Sequence, residues 1–315
     1  KNNRLAKNTT LLYIRMTVVM IINLYSVRLV LNVLGIEDYG IFNVIAGVIT
    51  MLASVSSVLQ TATQRYYSYS IGEKKLEYLQ NIFSASIYIY VILSLIIIIL
   101  GETVGLWFIN TQLLIPDERM YAVNWIYQFS IFSFIATIMN IPYSAATIAH
   151  EDMGYFSVIS GAESVLKLIA VILISFIPLD NLIIYGAGLF LISILVLISY
   201  IIIGYIKYAE CRYKKPTDRT LFKELLSFSG WSLFGSVAGV GMSQINTILT
   251  NIYFGPLVNA ARAISFQFNQ AMSSFASSFL MAVRPSMTKS YAEESYLYLN
   301  NIFNLSNKFI YYCLL

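Results

Sequence analysis

Apolar runs of about twenty residues, the length that crosses a bilayer as a helix, recur along the whole chain with short polar or glycine-containing breaks between them. They cover 11–34, 41–60, 82–100, 121–141, 155–177, 182–205, 228–252 and 257–283, and a ninth begins at Ile302 and reaches Leu315. In lipid every backbone polar group must be satisfied within its own segment, so each run is expected to be helical.

Composition removes the soluble alternative. Hydrophobic residues make up 58% of the chain and charged residues 11%, with a mean hydropathy of +0.70. The expected fold is an all-α polytopic membrane protein. Basic residues gather on alternate loops. The N-terminal flank has Lys1, Arg4 and Lys7, and the second-to-third loop has Arg65, Lys74 and Lys75. The sixth-to-seventh loop has six, from Lys207 to Lys223, and the eighth-to-ninth has Arg284 and Lys289; the opposite loops hold only Arg119. The positive-inside rule then places the N-terminus in the cytoplasm. No small-residue cleavage site follows a short apolar core, so no removable signal peptide is read. Cys211 and Cys313 suggest neither a disulfide nor a metal site. The net charge of +4 belongs to the loop bias and implies no nucleic-acid partner.

Shifting the chain by 220 positions, which carries Gly35 onto Gly255, also carries Ser57 onto Ser277, Ser70 onto Ser290 and Glu73 onto Glu293. Tyr78-Leu79 then meets Tyr298-Leu299, and Asn81-Ile82-Phe83 meets Asn301-Ile302-Phe303. Coincidence between apolar segments is the alternative reading. A true repeat has six spans and returns the chain to its starting side, giving parallel halves with a site between them. The expected organisation is a complete six-helix lobe at 1–206, a basic inter-lobe linker at 207–226, and the start of a second lobe at 227–315. The chain begins at Lys1 rather than Met, and it is read as a fragment lacking most of the second half.

Ionisable residues inside spans are costly and usually face a cavity. Arg15 and Arg28 lie in the first span, Glu163 and Lys167 in the fifth, Arg262 in the eighth. The balance is positive and suits an anionic ligand such as a phosphate or pyrophosphate. Each residue has a second reading. Arg15 can snorkel to the inner interface, and Arg28 can snorkel outward or pair with Glu37 or Asp38. Glu163 and Lys167, four residues apart, suit a structural ion pair. Arg262 shares a helical face with Asn269 and Ser273, as Arg28 does with Asn32. Arg15 and Arg28, about 20 Å apart along a helix, cannot grip one phosphate together. His150, beside Glu151 and Asp152, reads as part of a solvated turn. No metal-ligand spacing, phosphate-binding glycine loop or nucleophile elbow is present, and no cofactor is expected.

The segment from Arg28 to Phe42, with Asn32, Gly35, Glu37 and Asp38 inside it, resembles the first hairpin of the Wzx-type polysaccharide-unit flippases. These belong to the multidrug/oligosaccharidyl-lipid/polysaccharide exporter superfamily. Gln60 to Tyr67, Ile141-Pro142 to Phe156, and Arg284 to Ala292 are similar to that family as well. The resemblance implies a MATE-like fold, here truncated: two six-helix lobes forming a V-shaped alternating-access carrier in the bacterial cytoplasmic membrane. The implied cargo is an undecaprenyl-pyrophosphate-linked oligosaccharide for surface polysaccharide such as O-antigen, with membrane lipids, a polymerase and chain-length machinery as further partners. The matching cationic cavity residues are Arg28 and Arg262. Two other functions compete. A cation-coupled drug exporter of the same superfamily would prefer acidic cavity residues, and Glu163 is the one acid firmly inside a span. A membrane glycan polymerase or transferase needs catalytic groups on long outer loops, and the longest here, 101–120, carries no evident motif.

Overall fold

The first helical hairpin is made without a loop. In the computed structural model, which describes residues 2–111, 115–174, 176–214, 273–314 and isolated positions between 223 and 269, α1 (Asn2–Gly72) is one continuous run broken in direction at Gly35. Gly35 has φ 79° and ψ 172°, a conformation that only glycine adopts without steric cost. The chain reverses there. Asn8, before the break, donates to Glu151, and Gly72, after it, lies against Lys289, which itself pairs with Glu151.

Next come α2 (Leu76–Leu100) and a π-turn over Gly101–Gly105, which leads directly into α3 (Leu106–Thr111). They are followed by α4 (Met120–Ala149), α5 (Met153–Ile174) and α6 (Asn181–Lys207). Further along the chain, α7 is described over 273–292, and α8 spans Tyr296–Leu314. Among the described residues five helical stretches are long and apolar enough to cross a membrane: Lys7–Gly35, Leu76–Thr111, Asp117–Ala149, Met153–Ile174 and Asn181–Lys207. The expected second span, 41–60, lies on the second arm of α1, where the side chains of 46–55 are not described. Most of the seventh and of the eighth lie outside the described residues.

α4 is the central helix and packs on α1, α2 and α6. Gly186 lets the α6 backbone come close to α4: a Cβ there would stand 2.9 Å from Ile126 Cγ1. Among the described residues two of the apolar cores lie at opposite ends of the bundle. One, toward the Gly35 end, joins Val30, Ile45, Ile126, Tyr127, Val171 and Leu182. The other, toward the N-terminal end, joins Tyr67, Phe83, Ala145, Ala149, Tyr208 and Cys211. The outside is apolar as well: Ile21, Leu24, Leu95, Ile99, Val158, Leu173, Leu191 and Leu195 are all exposed. Water would penalise such a continuous belt; lipid does not.

Several helices run beyond the hydropathy limits. The polar stretch 61–72, expected as loop, is helical and partly buried, and several of its hydroxyls bond to helix carbonyls inside the bundle. Thr63 donates to the Leu59 carbonyl at 2.9 Å and also meets Tyr90, and Ser70 donates to the Tyr66 carbonyl at 2.9 Å. The expected loop at 101–120 is helical as far as Thr111. There the Tyr127 hydroxyl donates to the Gly101 carbonyl at 2.8 Å. Gly105 makes room for it, since a Cβ would sit 1.8 Å from that oxygen.

The turns sort into two ends, as the alternating charge pattern requires. At the face opposite the N-terminus, Arg119 pairs with Asp38, Nε to Oδ1 at 2.8 Å, and with Asp180, Nη1 to Oδ2 at 2.7 Å. Asp180 also caps α6, accepting from the Leu182 and Ile183 amides at 3.0 and 3.2 Å. Asn181 donates to the Val33 carbonyl at 3.1 Å. At the N-terminal face, His150 stacks on Tyr208 with centroids 4.5 Å apart and is hydrogen-bonded to Glu210. Asp152 accepts from Tyr208 at 2.7 Å and from Lys207 at 2.8 Å. The solvated-turn reading of His150 is therefore corrected: the residue docks the 4–5 turn onto the end of α6. Burial opposes the charge on Glu210, but its bonds to His150 and to backbone outweigh that and hold its pKa below the usual 4.5. That contribution to stability is full above the ordinary carboxylate range and is lost as pH falls through the lowered value.

The turn after α1 and the turn after α7 are built alike. Glu73, Lys74 and Lys75 amides donate to the carbonyls of Tyr69, Ile71 and Ser70; Glu293, Glu294 and Ser295 amides donate to Lys289, Tyr291 and Ser290. Every partner is displaced by the same 220 residues that relate the sequences (73 to 293). Both turns are Schellman-type C-caps, with Lys74 at φ 58° and Glu294 at φ 55°. A non-glycine residue in the left-handed region costs about 1 kcal/mol. Lys74→Gly is expected to stabilise the protein by about 0.5–1 kcal/mol, read as a small rise in thermal midpoint in detergent; a fall would contradict the cap assignment.

Candidate substrate cleft

Arg15 sits on the first arm of α1, between two cavities. The inner one, of about 600 Å³, separates α1 from α7. Arg15 and Asn23 line one wall, and Ser273, Ser274, Ser277 and Ser278 the other, over Met16, Met20 and Met281. The spacing explains the walls. Residues 15, 19 and 23 stack along one helical face, as do 273/277 and 274/278. α1 and α7 touch below the cleft, where the Tyr13 hydroxyl donates to the Phe275 carbonyl at 3.4 Å and Ser278 contacts the Met16 sulfur at 3.4 Å.

The second cavity, of about 720 Å³, runs between α1 and α5. Its walls are Leu11, Ile14, Val18 and Val158, and Lys7, His150, Glu151 and Asp152 line its N-terminal end. Arg15 borders both spaces. Its guanidinium lies 4.7 Å from the Phe156 ring centre, a favourable cation–π contact. Its Nε is buried without a hydrogen-bond partner. Tyr200 and Glu163 are the titratable groups that act on it most, and Glu163 already accepts from Lys167 Nζ at 2.6 Å. An arginine with an unsatisfied donor, next to serine hydroxyls and an apolar groove, offers a half-built receptor for an oxyanion.

The other expected site residues are dispersed. Arg28 and Asn32 are exposed and line neither cavity. Thirteen residues turn a helix by about 220° relative to Arg15, so Arg28 points elsewhere. Asp38, offered as its partner, belongs to Arg119. Ser273 lines the cleft and donates to Asn269 Oδ1 at 3.4 Å. Arg262 lies outside the described residues. Lys167 and Glu163 are paired with each other. Asn23, Ser274 and Ser278 escaped the sequence reading; the signal for the serines was the repeated Ser-Ser pair at 273–274 and 277–278. Among the described residues no three His, Cys, Asp or Glu side chains come together as a metal site would need.

The model of a family described as "Polysaccharide biosynthesis protein" matches residues 5–291. No curated protein matches significantly in sequence. Among solved structures, an outward-facing multidrug resistance MATE family transporter of the MOP superfamily superposes with a TM-score of 0.83 at 13% identity, covering 98% of this chain and 69% of that one. A MOP superfamily transporter from Pyrococcus furiosus gives 0.77 at 12%, covering 98% and 69%. The Vibrio cholerae MATE transporter VcmN in its bent form gives 0.75 at 17%, covering 98% and 70%. At these identities the superpositions establish the fold: all-helical and MATE-like, in a multi-pass membrane protein. The family match over most of the chain leads to one conclusion: the chain belongs to the family described as "Polysaccharide biosynthesis protein", and it carries a MATE-like fold.

Proposed function

We propose that the protein flips lipid-linked oligosaccharides across the bacterial cytoplasmic membrane by alternating access, with its N-terminus in the cytoplasm. The observation that carries this is Arg15, a cation with a buried unsatisfied donor that borders both a serine-lined cleft and an apolar groove. A pyrophosphate linking sugar to lipid needs that junction. The phosphate oxygens accept from the guanidinium and hydroxyls, the sugar occupies the polar cleft between α1 and α7, and the polyprenyl chain follows the groove between α1 and α5. On this reading 1–206 and 227–315 belong to two lobes joined by the basic linker 207–226, and Arg262 with Asn269 extends the cleft from the second lobe. On this reading the protein is a carrier rather than an enzyme, working alongside the polymerase and chain-length machinery.

Deleting the gene tests this. Lipid-linked oligosaccharide should accumulate in the inner leaflet while surface polysaccharide is lost, and the wild-type gene should restore both. Unchanged glycans together with altered drug sensitivity would favour an exporter of the same superfamily instead.

A further inference from the structure

At the N-terminal face α7 closes onto the first half of the chain at two points. Lys289 donates to Glu151 Oε1 at 3.2 Å, with side-chain exposures of only 16% and 18%. Glu151 is held in place from both sides. It sits in the left-handed region at φ 63° within the 4–5 turn, and its carbonyl accepts from Asn8 Nδ2 at 2.9 Å. The second point is Gly72. A Cβ built there would stand 2.7 Å from Ala292 Cβ and 2.8 Å from the Lys289 carbonyl. Gly72 and Ala292 are themselves related by the 220-residue shift (72 to 292). Two equivalent positions can touch only where the axis relating them passes, so this contact is central to the N-terminal face. Between the two points and the cleft, Leu12 packs with Ala282, Ile148 and Met153 in a small buried cluster.

We infer that the Glu151–Lys289 pair and the Gly72–Ala292 contact form a latch that holds the N-terminal face shut, below the cleft that carries Arg15. The inference rests on the alternating-access reading, and it assigns that reading a specific lock. For the cleft to open toward the N-terminal face, α7 must leave the 4–5 turn and the end of α1. The ion pair then breaks and both charges are hydrated. The two states thus differ by a desolvated, hydrogen-bonded pair whose net value is small, as a contact that opens on every cycle requires.

The test separates the latch from the substrate. A cysteine placed at Ser277, in the full-length protein in membrane vesicles oriented with the N-terminal face outward, is labelled with a membrane-impermeant maleimide. Glu151→Lys, which sets two lysines against each other, should raise the labelling rate at least several-fold. The swap Glu151→Lys with Lys289→Glu should return it toward the parent rate, and Gly72→Leu should raise it whatever residues occupy 151 and 289. Equal labelling in all variants, or a Glu151→Lys increase that the swap does not reverse, would overturn the latch. The labelling rate does not depend on the cargo, so a different substrate would leave this result standing.

Discussion

Replacing Arg15 with alanine is expected to reduce export of lipid-linked oligosaccharide by roughly 30- to 100-fold while leaving insertion and folding intact. A hydrogen bond to a charged partner contributes about 1.5–3 kcal/mol, and a tenfold change corresponds to about 1.4 kcal/mol. The low-dielectric surroundings place Arg15 at the upper end of that range. The folded protein loses little, because Nε has no hydrogen-bond partner to abandon and the Phe156 contact is the main interaction removed. Arg15→Lys should retain part of the activity, since it keeps the charge without the planar fork. Complementation of the deletion strain reads the effect, and protein abundance in the membrane controls for stability. Normal export by Arg15→Ala would remove Arg15 from the site.

Replacing Arg119 with alanine is expected to act on stability instead. Asp38 and Asp180 would both lose their partner, and three turns, after the first arm of α1, before α4 and before α6, would lose the side chain that joins them. Removing one member of a buried pair costs about 3–5 kcal/mol. These side chains are partly exposed, which lowers the expectation to about 2–3 kcal/mol. The thermal midpoint in detergent should fall by several degrees. The double variant Arg119→Ala with Asp38→Asn should recover part of the loss, because the stranded charge is the main penalty. An unchanged midpoint for Arg119→Ala would show that the three turns are held without it.

Much of this was legible in the sequence for a simple reason. Hydropathy reports contact with lipid, and the exposed faces of α2, α5 and α6 are lipid contacts. Gly35 marked a reversal because no other residue reaches its backbone angles cheaply. The 220-residue shift found in the sequence reappears hydrogen bond by hydrogen bond in the turns at 73–75 and 293–295. What stayed hidden is what faces inward. Thr61, Thr63 and Ser70 read as loop, because a residue scale cannot tell that the carbonyls of Ser57, Leu59 and Tyr66 accept from them. The π-turn at Gly101–Gly105 depends on the Tyr127 hydroxyl, one helix away. Charge pairing was hidden for the same reason. Asp38 could be offered to nearby Arg28 from sequence distance, yet its partner Arg119 is 81 residues away. Arg15 read equally as an interfacial snorkel; only the position of α7 across from it makes a cleft. His150 read as solvated because Tyr208 and Glu210, which cover it, lie just past the end of α6, nearly sixty residues later.

The most direct test of the central claim is a leaflet assay with the full-length protein in proteoliposomes holding a fluorescent polyprenyl-pyrophosphate oligosaccharide. An impermeant quencher reaches only the outer leaflet. The account predicts that wild-type protein moves the protected fraction into reach of the quencher, that Arg15→Ala moves it roughly 30- to 100-fold more slowly, and that a polyprenol lacking phosphate is not moved. Equal movement of the phosphate-free lipid, or movement by Arg15→Ala at the wild-type rate, would contradict it.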